Sequence, residues 1–206
     1  MTDSPNERHM LCLGDSYTFG ESVSSDDRWP VQLAGLLRAQ QTDVADPVII
    51  ARTGWTTRDL GAAIDEARPR GPFDLVTLLI GVNDQYRGRT VDEYAPQFRL
   101  VLNRAIIQAG KHPEAVLVIS IPDWGVTPYA QGRDRRRIAT EIDAFNAANR
   151  DEAMAVGAIY VDITGLSRLA GSNRSLIAAD GLHPSAAMYS QWARAILPVA
   201  MGILAA

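Results

Sequence analysis

The chain has 206 residues, 47% of them apolar and 21% charged, with a formal net charge of −4 at pH 7. That length can bury a core without disulfide or metal staples, and the composition is that of an ordinary globular protein. The mild negative charge leaves no basic footprint for nucleic acid, the one cysteine excludes an intrachain disulfide, and no apolar run is long enough for a membrane span.

Residues 1–8 are polar and lack the apolar stretch of a signal peptide, so they read as a flexible tail and the cytoplasm is the expected location. The first short apolar run is Met10–Leu13, in which Cys12 reads as a small buried hydrophobe. A helix follows with Pro30 in its first turn and Leu33, Leu36 and Leu37 on one face, the Ser and Asp residues upstream being candidate caps. After the second run, Val48–Ala51, Thr56 or Thr57 can cap a helix carrying Leu60 and Ile64. The third run, Leu75–Ile80, precedes a helix over Val91–Ala109 with Tyr94, Phe98, Val101, Leu102 and Ala105 on one stripe. Val116–Ile121 is the fourth run. Arg133 and Arg135 to Arg137 then open a helix over Arg135–Val156, where they read as a solvated face. Ala158–Val161 is the fifth run, and the last helix carries Tyr189, Trp192, Ile196, Val199 and Ile203, with a kink expected at Pro198.

The five runs are short, β-branched and mostly not alternating, as strands covered on both faces of a parallel sheet are. Their alternation with helices predicts an α/β fold with right-handed crossovers. The expected form is a three-layer α/β/α sandwich around a flavodoxin-like five-stranded parallel sheet in the order 2-1-3-4-5. With no internal repeat and no linker, residues 1–206 read as a single domain.

In such sheets ligands bind outside the carboxyl ends of the strands. Gly14-Asp15-Ser16 follows the first run, Thr53-Gly54-Trp55 the second, Gly81-Val82-Asn83-Asp84 the third and Pro122-Asp123-Trp124 the fourth. Asp180-Gly181-Leu182-His183-Pro184 precedes the last helix and can reach the same rim. Taken singly, each of these residues is an ordinary turn or cap former. Together they supply a hydroxyl, a base and a carboxylate. Ser16 sits on a strand-to-helix turn, and a serine hydroxyl needs a base within reach to act as a nucleophile. Of three histidines, His9 lies in the polar tail and His112 in a surface turn, which leaves His183 as the base. Asp180 can accept from its Nδ1 and set the tautomer. The backbone N–H groups of Ser16 and Gly54 and the side-chain amide of Asn83 are candidate oxyanion donors. Asp15 and Asp84 read as residues that hold loop backbone through local hydrogen bonds. Trp55 and Trp124 are candidate walls of a substrate pocket, with packing beneath the loops as the equal alternative.

Ser16, Gly54, Asn83 and His183, in this order on this strand pattern, resemble the SGNH hydrolases, also called the GDSL esterase/lipase superfamily. The resemblance runs from about Leu11 to Ala200 and departs at Tyr17, which stands where the eponymous leucine would be. It implies a Ser16–His183–Asp180 triad, with Ser16, Gly54 and Asn83 as oxyanion donors, acting without metal or cofactor. It also implies a small-molecule acyl ester as substrate: a small acyl ester, a sugar O-acetyl or a lysolipid. An acyltransferase or thioesterase on the same site, or a non-catalytic carbohydrate- or lipid-binding domain, are the rival readings. The oligomeric state stays open.

Overall fold

The computed structural model describes residues 7–205. Its five strands, β1 (Met10–Gly14), β2 (Val48–Ala51), β3 (Leu75–Leu79), β4 (Val116–Ile119) and β5 (Ile159–Val161), form one parallel sheet in the order β2-β1-β3-β4-β5, as the pattern of apolar runs predicts. The central strands β1, β3 and β4 are buried throughout, which is why their runs are apolar but for Thr77 of β3, itself fully buried. β2 and β5 form the edges and are only partly covered.

Eight α-helices connect and flank the strands: α1 (Ser16–Phe19), α2 (Trp29–Ala39), α3 (Thr57–Ala67), α4 (Val82–Tyr86), α5 (Val91–Gln108), α6 (Arg135–Val156), α7 (Thr164–Arg168) and α8 (Ala186–Leu204). α2 packs against α8, while α5 packs against both α3 and α6, so each face of the sheet carries a helical layer. Leu33 and Leu37 of α2 and Trp192 and Ile196 of α8 are fully buried. Each such side chain contributes on the order of 2 kcal/mol by leaving water. Helix starts follow local chemistry. Thr56 and Asp59 form a reciprocal capping box on α3, and Thr90 with Glu93 forms another on α5.

Two expectations are adjusted. The Ser and Asp residues before α2 do not cap it: Ser25–Asp27 make a separate 3-10 turn, and the N-cap position is Arg28, with no side-chain cap bond. β3 and β4 stop short of Ile80 and Ile121, because side chains take over their backbone groups. The Tyr94 hydroxyl donates to the Ile80 carbonyl at 3.0 Å, and the Asn146 amide pairs with both Ile121 N–H and C=O, at 2.7 and 2.9 Å. α8 carries Pro198 within its span, where one helical hydrogen bond is lost.

Residues 1–6 of the expected N-terminal tail lie outside the described residues; Arg8 is described and pairs with Asp74 at 2.8 Å. Among the described residues no helix is long and apolar enough to cross a membrane.

Candidate active site

Ser16 is the first residue of α1, immediately beyond the carboxyl end of β1. Asp15 is the N-cap, its Oδ1 accepting from the Tyr17 N–H at 3.0 Å. A first-turn N–H has no partner within its own helix, and among the described residues no acceptor takes the N–H of Ser16 or of Gly54. Gly54 has φ +84, a left-handed conformation that glycine adopts without strain.

His183 is 8% exposed and its Nδ1 lies 2.5 Å from Asp180 Oδ2. The same carboxylate is anchored from three further directions. Its Oδ1 accepts from the backbone N–H of Leu182 at 2.9 Å and of His183 at 3.0 Å, and its Oδ2 accepts from the Ser22 hydroxyl at 2.8 Å. Partial burial works to raise the Asp180 carboxyl, but the bonds from the His183 ring, both N–H groups and Ser22 outweigh it and hold it well below the usual carboxylate range. An ionised Asp180 can only accept, so the Nδ1 that faces it is the donor of this pair. Tyr17, at the position where the family motif has leucine, packs edge-on against the His183 ring with centroids 5.7 Å apart. Ser16 and His183 line the same cleft without a hydrogen bond between hydroxyl and ring. Catalytic contacts are often loose in ligand-free sites.

A further side of the cleft is built by α4. Gly81 is its N-cap at φ +126, where an added Cβ would lie 2.3 Å from the Tyr94 hydroxyl, so only glycine fits. One hydrogen of the Asn83 amide donates to the Trp55 carbonyl at 2.9 Å, which leaves the other free. Asp84 is fully buried and holds the neighbouring loop, accepting from the Thr57 N–H at 2.8 Å and the Thr57 hydroxyl at 3.1 Å. Burial pushes its carboxyl up, with the two Thr57 bonds opposing. One turn on from Asn83, Arg87 Nη2 donates to the Gly54 carbonyl at 2.9 Å. Asn83, Asp84 and Arg87 thus bind the Gly54 loop to α4 and hold the two sets of donors at fixed separation.

Asp15 has a second property. It is fully buried, its Oδ2 has no partner, and burial pushes its carboxyl up to about 8, the Tyr17 N–H bond opposing and the Asp84 charge adding. Below that pH the folded protein keeps the proton, whereas the unfolded chain loses it above about pH 4. Between the two values the unfolded state binds fewer protons, so this group makes stability fall as pH rises, by a few kcal/mol across the window. Asp15→Asn keeps the cap on Tyr17 and removes the titration. Denaturant melts of this variant at pH 4 to 8 are expected to show a flatter pH dependence than the parent, and an unchanged slope would contradict a neutral buried Asp15.

Ser16, Gly54, Asn83 and His183 meet around one cleft of about 140 Å³, further lined by Tyr17, Thr53, Val82, Tyr86, Trp124, Tyr129 and Leu182. Trp124 is in the wall, with its indole N–H on Gln85 Oε1 at 2.9 Å. Trp55 is not. Its ring is half-buried against the core, and its carbonyl accepts from the Asn83 amide. Ser22 and Arg87 were not legible in the sequence as site residues. Each contributes through a contact with a residue remote in the chain, and no local pattern marks it. Among the described residues no group of three or more His, Cys, Asp and Glu side chains could hold a metal ion.

No curated protein sequence matches the chain. Solved structures match in fold. TesA shares 20% identity, with 95% of this chain and 99% of that one covered and a TM-score of 0.74. Axe2, an acetylxylan esterase from Geobacillus stearothermophilus, shares 22% identity over 96% of this chain and 94% of its own, with a TM-score of 0.70. EstA, a psychrotrophic esterase from Pseudoalteromonas sp., shares 17% over 98% of this chain and all 100% of its own, at 0.68. The sequence itself matches the GDSL-like Lipase/Acylhydrolase family over residues 12–191. With nearly the whole chain inside that match and the same α/β sheet beneath it, the chain belongs to the GDSL-like lipase/acylhydrolase family of carboxylic ester hydrolases.

Proposed function

We propose that the chain hydrolyses small acyl esters through an acyl-enzyme on Ser16, with His183 as general base and acid and Asp180 as its orienting anion. The observation that carries this reading is the anchored His183–Asp180 pair, 2.5 Å from ring to carboxylate, facing the same cleft as Ser16, Gly54 and Asn83. In the first half-reaction Ser16 Oγ attacks the ester carbonyl and His183 Nε2 takes the hydroxyl proton. The negative charge on the carbonyl oxygen is met by the N–H groups of Ser16 and Gly54 and by the free hydrogen of the Asn83 amide. Collapse of the tetrahedral intermediate breaks the bond to the alcohol oxygen, which receives the proton from His183. Water then attacks the acyl-serine with His183 as base, and the acid leaves as the serine proton returns. The candidate natural substrates are small acyl esters and sugar O-acetyl groups, with lysolipids as the long-acyl alternative.

The direct test is labelling by a small alkyl phosphonate ester followed by mass mapping, together with turnover of aryl acetate. The expected adduct is on Ser16, and an unlabelled, inactive protein would end this reading in favour of a non-catalytic binding domain. Asn83→Ala is expected to lower kcat by about 10²–10³ with little change in KM, as loss of one oxyanion donor does. Ordinary turnover in that variant would remove Asn83 from the site.

A further inference from the structure

Two phenols meet across the mouth of the cleft, and the chemistry just described uses neither. Tyr86 is the last residue of α4, the helix that carries Asn83. Tyr129 lies in the segment after β4, and its N–H donates to the Gly181 carbonyl at 3.0 Å, inside the turn that holds Asp180 and His183. Their hydroxyls are 2.9 Å apart, so a hydrogen bond joins the oxyanion side of the cleft to the triad side. Both rings pack against the buried Trp124, with centroids 5.4 and 6.1 Å away, and Trp124 is itself pinned by Gln85. Arg133 closes the cluster from outside. Its Nη2 donates to the Tyr86 hydroxyl at 3.0 Å and its guanidinium carbon lies 5.1, 5.3 and 5.6 Å from the rings of Tyr86, Trp124 and Tyr129. Arg133 makes no ion pair among the described residues, so the aromatic faces are what hold its charge in place. Tyr86 and Tyr129 remain 43% and 45% exposed. They are bound at both ends rather than buried.

We infer that this Tyr86–Tyr129 bridge is the end wall of the acyl subsite and restricts the enzyme to short acyl groups, an inference that rests on the ester hydrolysis proposed above. The cleft it closes has about 140 Å³. An apolar cavity of about 150 Å³ takes one benzene molecule, or roughly six carbon atoms, whereas pockets for drug-sized ligands start near 300 Å³. The lining favours the acyl over the alcohol side. Val82, Leu182, Trp124 and the two phenol rings present mainly carbon to the cleft. The other border is Thr53, an exposed residue whose hydroxyl donates to Glu21, and that polar side suits an alcohol. A long acyl chain running toward this wall meets the phenol–phenol bond and the Arg133 guanidinium held on three rings.

The test is a series of aryl esters from acetate to decanoate, run beside a series of acetates of lengthening alcohols, on the parent, Tyr129→Ala and Tyr86→Phe. The parent is expected to lose at least about tenfold in kcat/KM beyond hexanoate, since one misplaced methylene is worth about 10–200-fold in a closed pocket. Tyr129→Ala is expected to raise the decanoate-to-acetate ratio of kcat/KM by about tenfold or more. Tyr86→Phe, which removes one oxygen and keeps the ring, is expected to shift the ratio the same way by less. Because each ratio is taken within one variant, general damage to the site cancels. A parent that prefers decanoate would overturn the inference. So would an unchanged ratio in Tyr129→Ala, or in Tyr86→Phe should the alanine variant not fold, and so would a gain confined to the alcohol series. A parent that neither hydrolyses acetate nor reacts with the phosphonate would instead remove the proposed ester hydrolysis itself.

Discussion

Ser16→Ala is expected to lower kcat on aryl acetate by about 10⁶, His183→Ala by a similar factor, and the double variant by no more than either. The reason is that the two side chains perform one act. Without the imidazole the hydroxyl keeps its proton and is a poor nucleophile at neutral pH, and without the hydroxyl the imidazole has nothing to activate. Both variants should fold. Ser16 is a first-turn residue whose carbonyl, not its side chain, accepts the bonds from Gly20 and Glu21 at 2.9 and 3.1 Å. Residual catalysis in either variant comes from the Gly54 N–H and Asn83, which still stabilise a tetrahedral oxyanion attacked by water. Stopped-time assays on the three variants decide the matter. Losses that multiply, or a Ser16→Ala protein that turns over at the parent rate, would place the nucleophile elsewhere.

Asp180→Asn is expected to cost about 10³–10⁴ in kcat while leaving substrate binding nearly intact. The acceptor pattern gives the reason. Asp180 Oδ1 takes two backbone N–H groups, so an asparagine at this position keeps its carbonyl oxygen there and turns its NH₂ toward His183 and Ser22. The Ser22 hydroxyl can rotate to accept. The His183 ring must then present a bare Nδ1, which moves its proton to Nε2 and leaves no acceptor for the Ser16 hydroxyl. Phosphonate labelling at fixed pH should slow by a similar factor. A loss below about tenfold in kcat would mean that another group orients the ring. Asp180 anchors its own turn as well as the imidazole, so the expected outcome includes a small fall in melting temperature; Asp180→Ala, which takes the acceptor away from both backbone N–H groups, should fall further.

Much of the architecture was legible in the residues. The largely apolar runs of β1, β3 and β4 are the trace of strands buried on both faces, and their alternation with amphipathic stretches leads to the 2-1-3-4-5 order by the rules of parallel crossovers. α6 begins and ends where its sequence says, at the Asp134 cap and at Gly157 in the left-handed conformation. The short helices α1, α4 and α7 were not legible, because four or five residues hold no period. Gly81-Val82-Asn83-Asp84 accordingly reads as a loop, yet it opens a helix whose one turn spaces Asn83 and Arg87 onto the same Gly54 loop. Trp55 and Trp124 look equivalent in sequence, each following a strand end. The tertiary structure separates them: the Trp55 ring packs half-buried against the core, whereas the Trp124 ring lines the cleft.

The two polar segments Gly14-Asp15-Ser16 and Asp180–His183 illustrate the division. Residue types and their order along the strands were enough to name a candidate nucleophile, base and orienting carboxylate and the rim on which they gather, since strand order is a property of the chain's own pattern. The anchoring of Asp180 by Ser22, the clamp of Asn83 and Arg87 on residues 54–55, and the Tyr86–Tyr129 bridge are contacts between segments 28 to 158 residues apart. Such contacts carry no local signature. They exist only once burial of the sheet has fixed where each loop ends, and it is these contacts, more than the triad, that set the size and shape of what can reach Ser16.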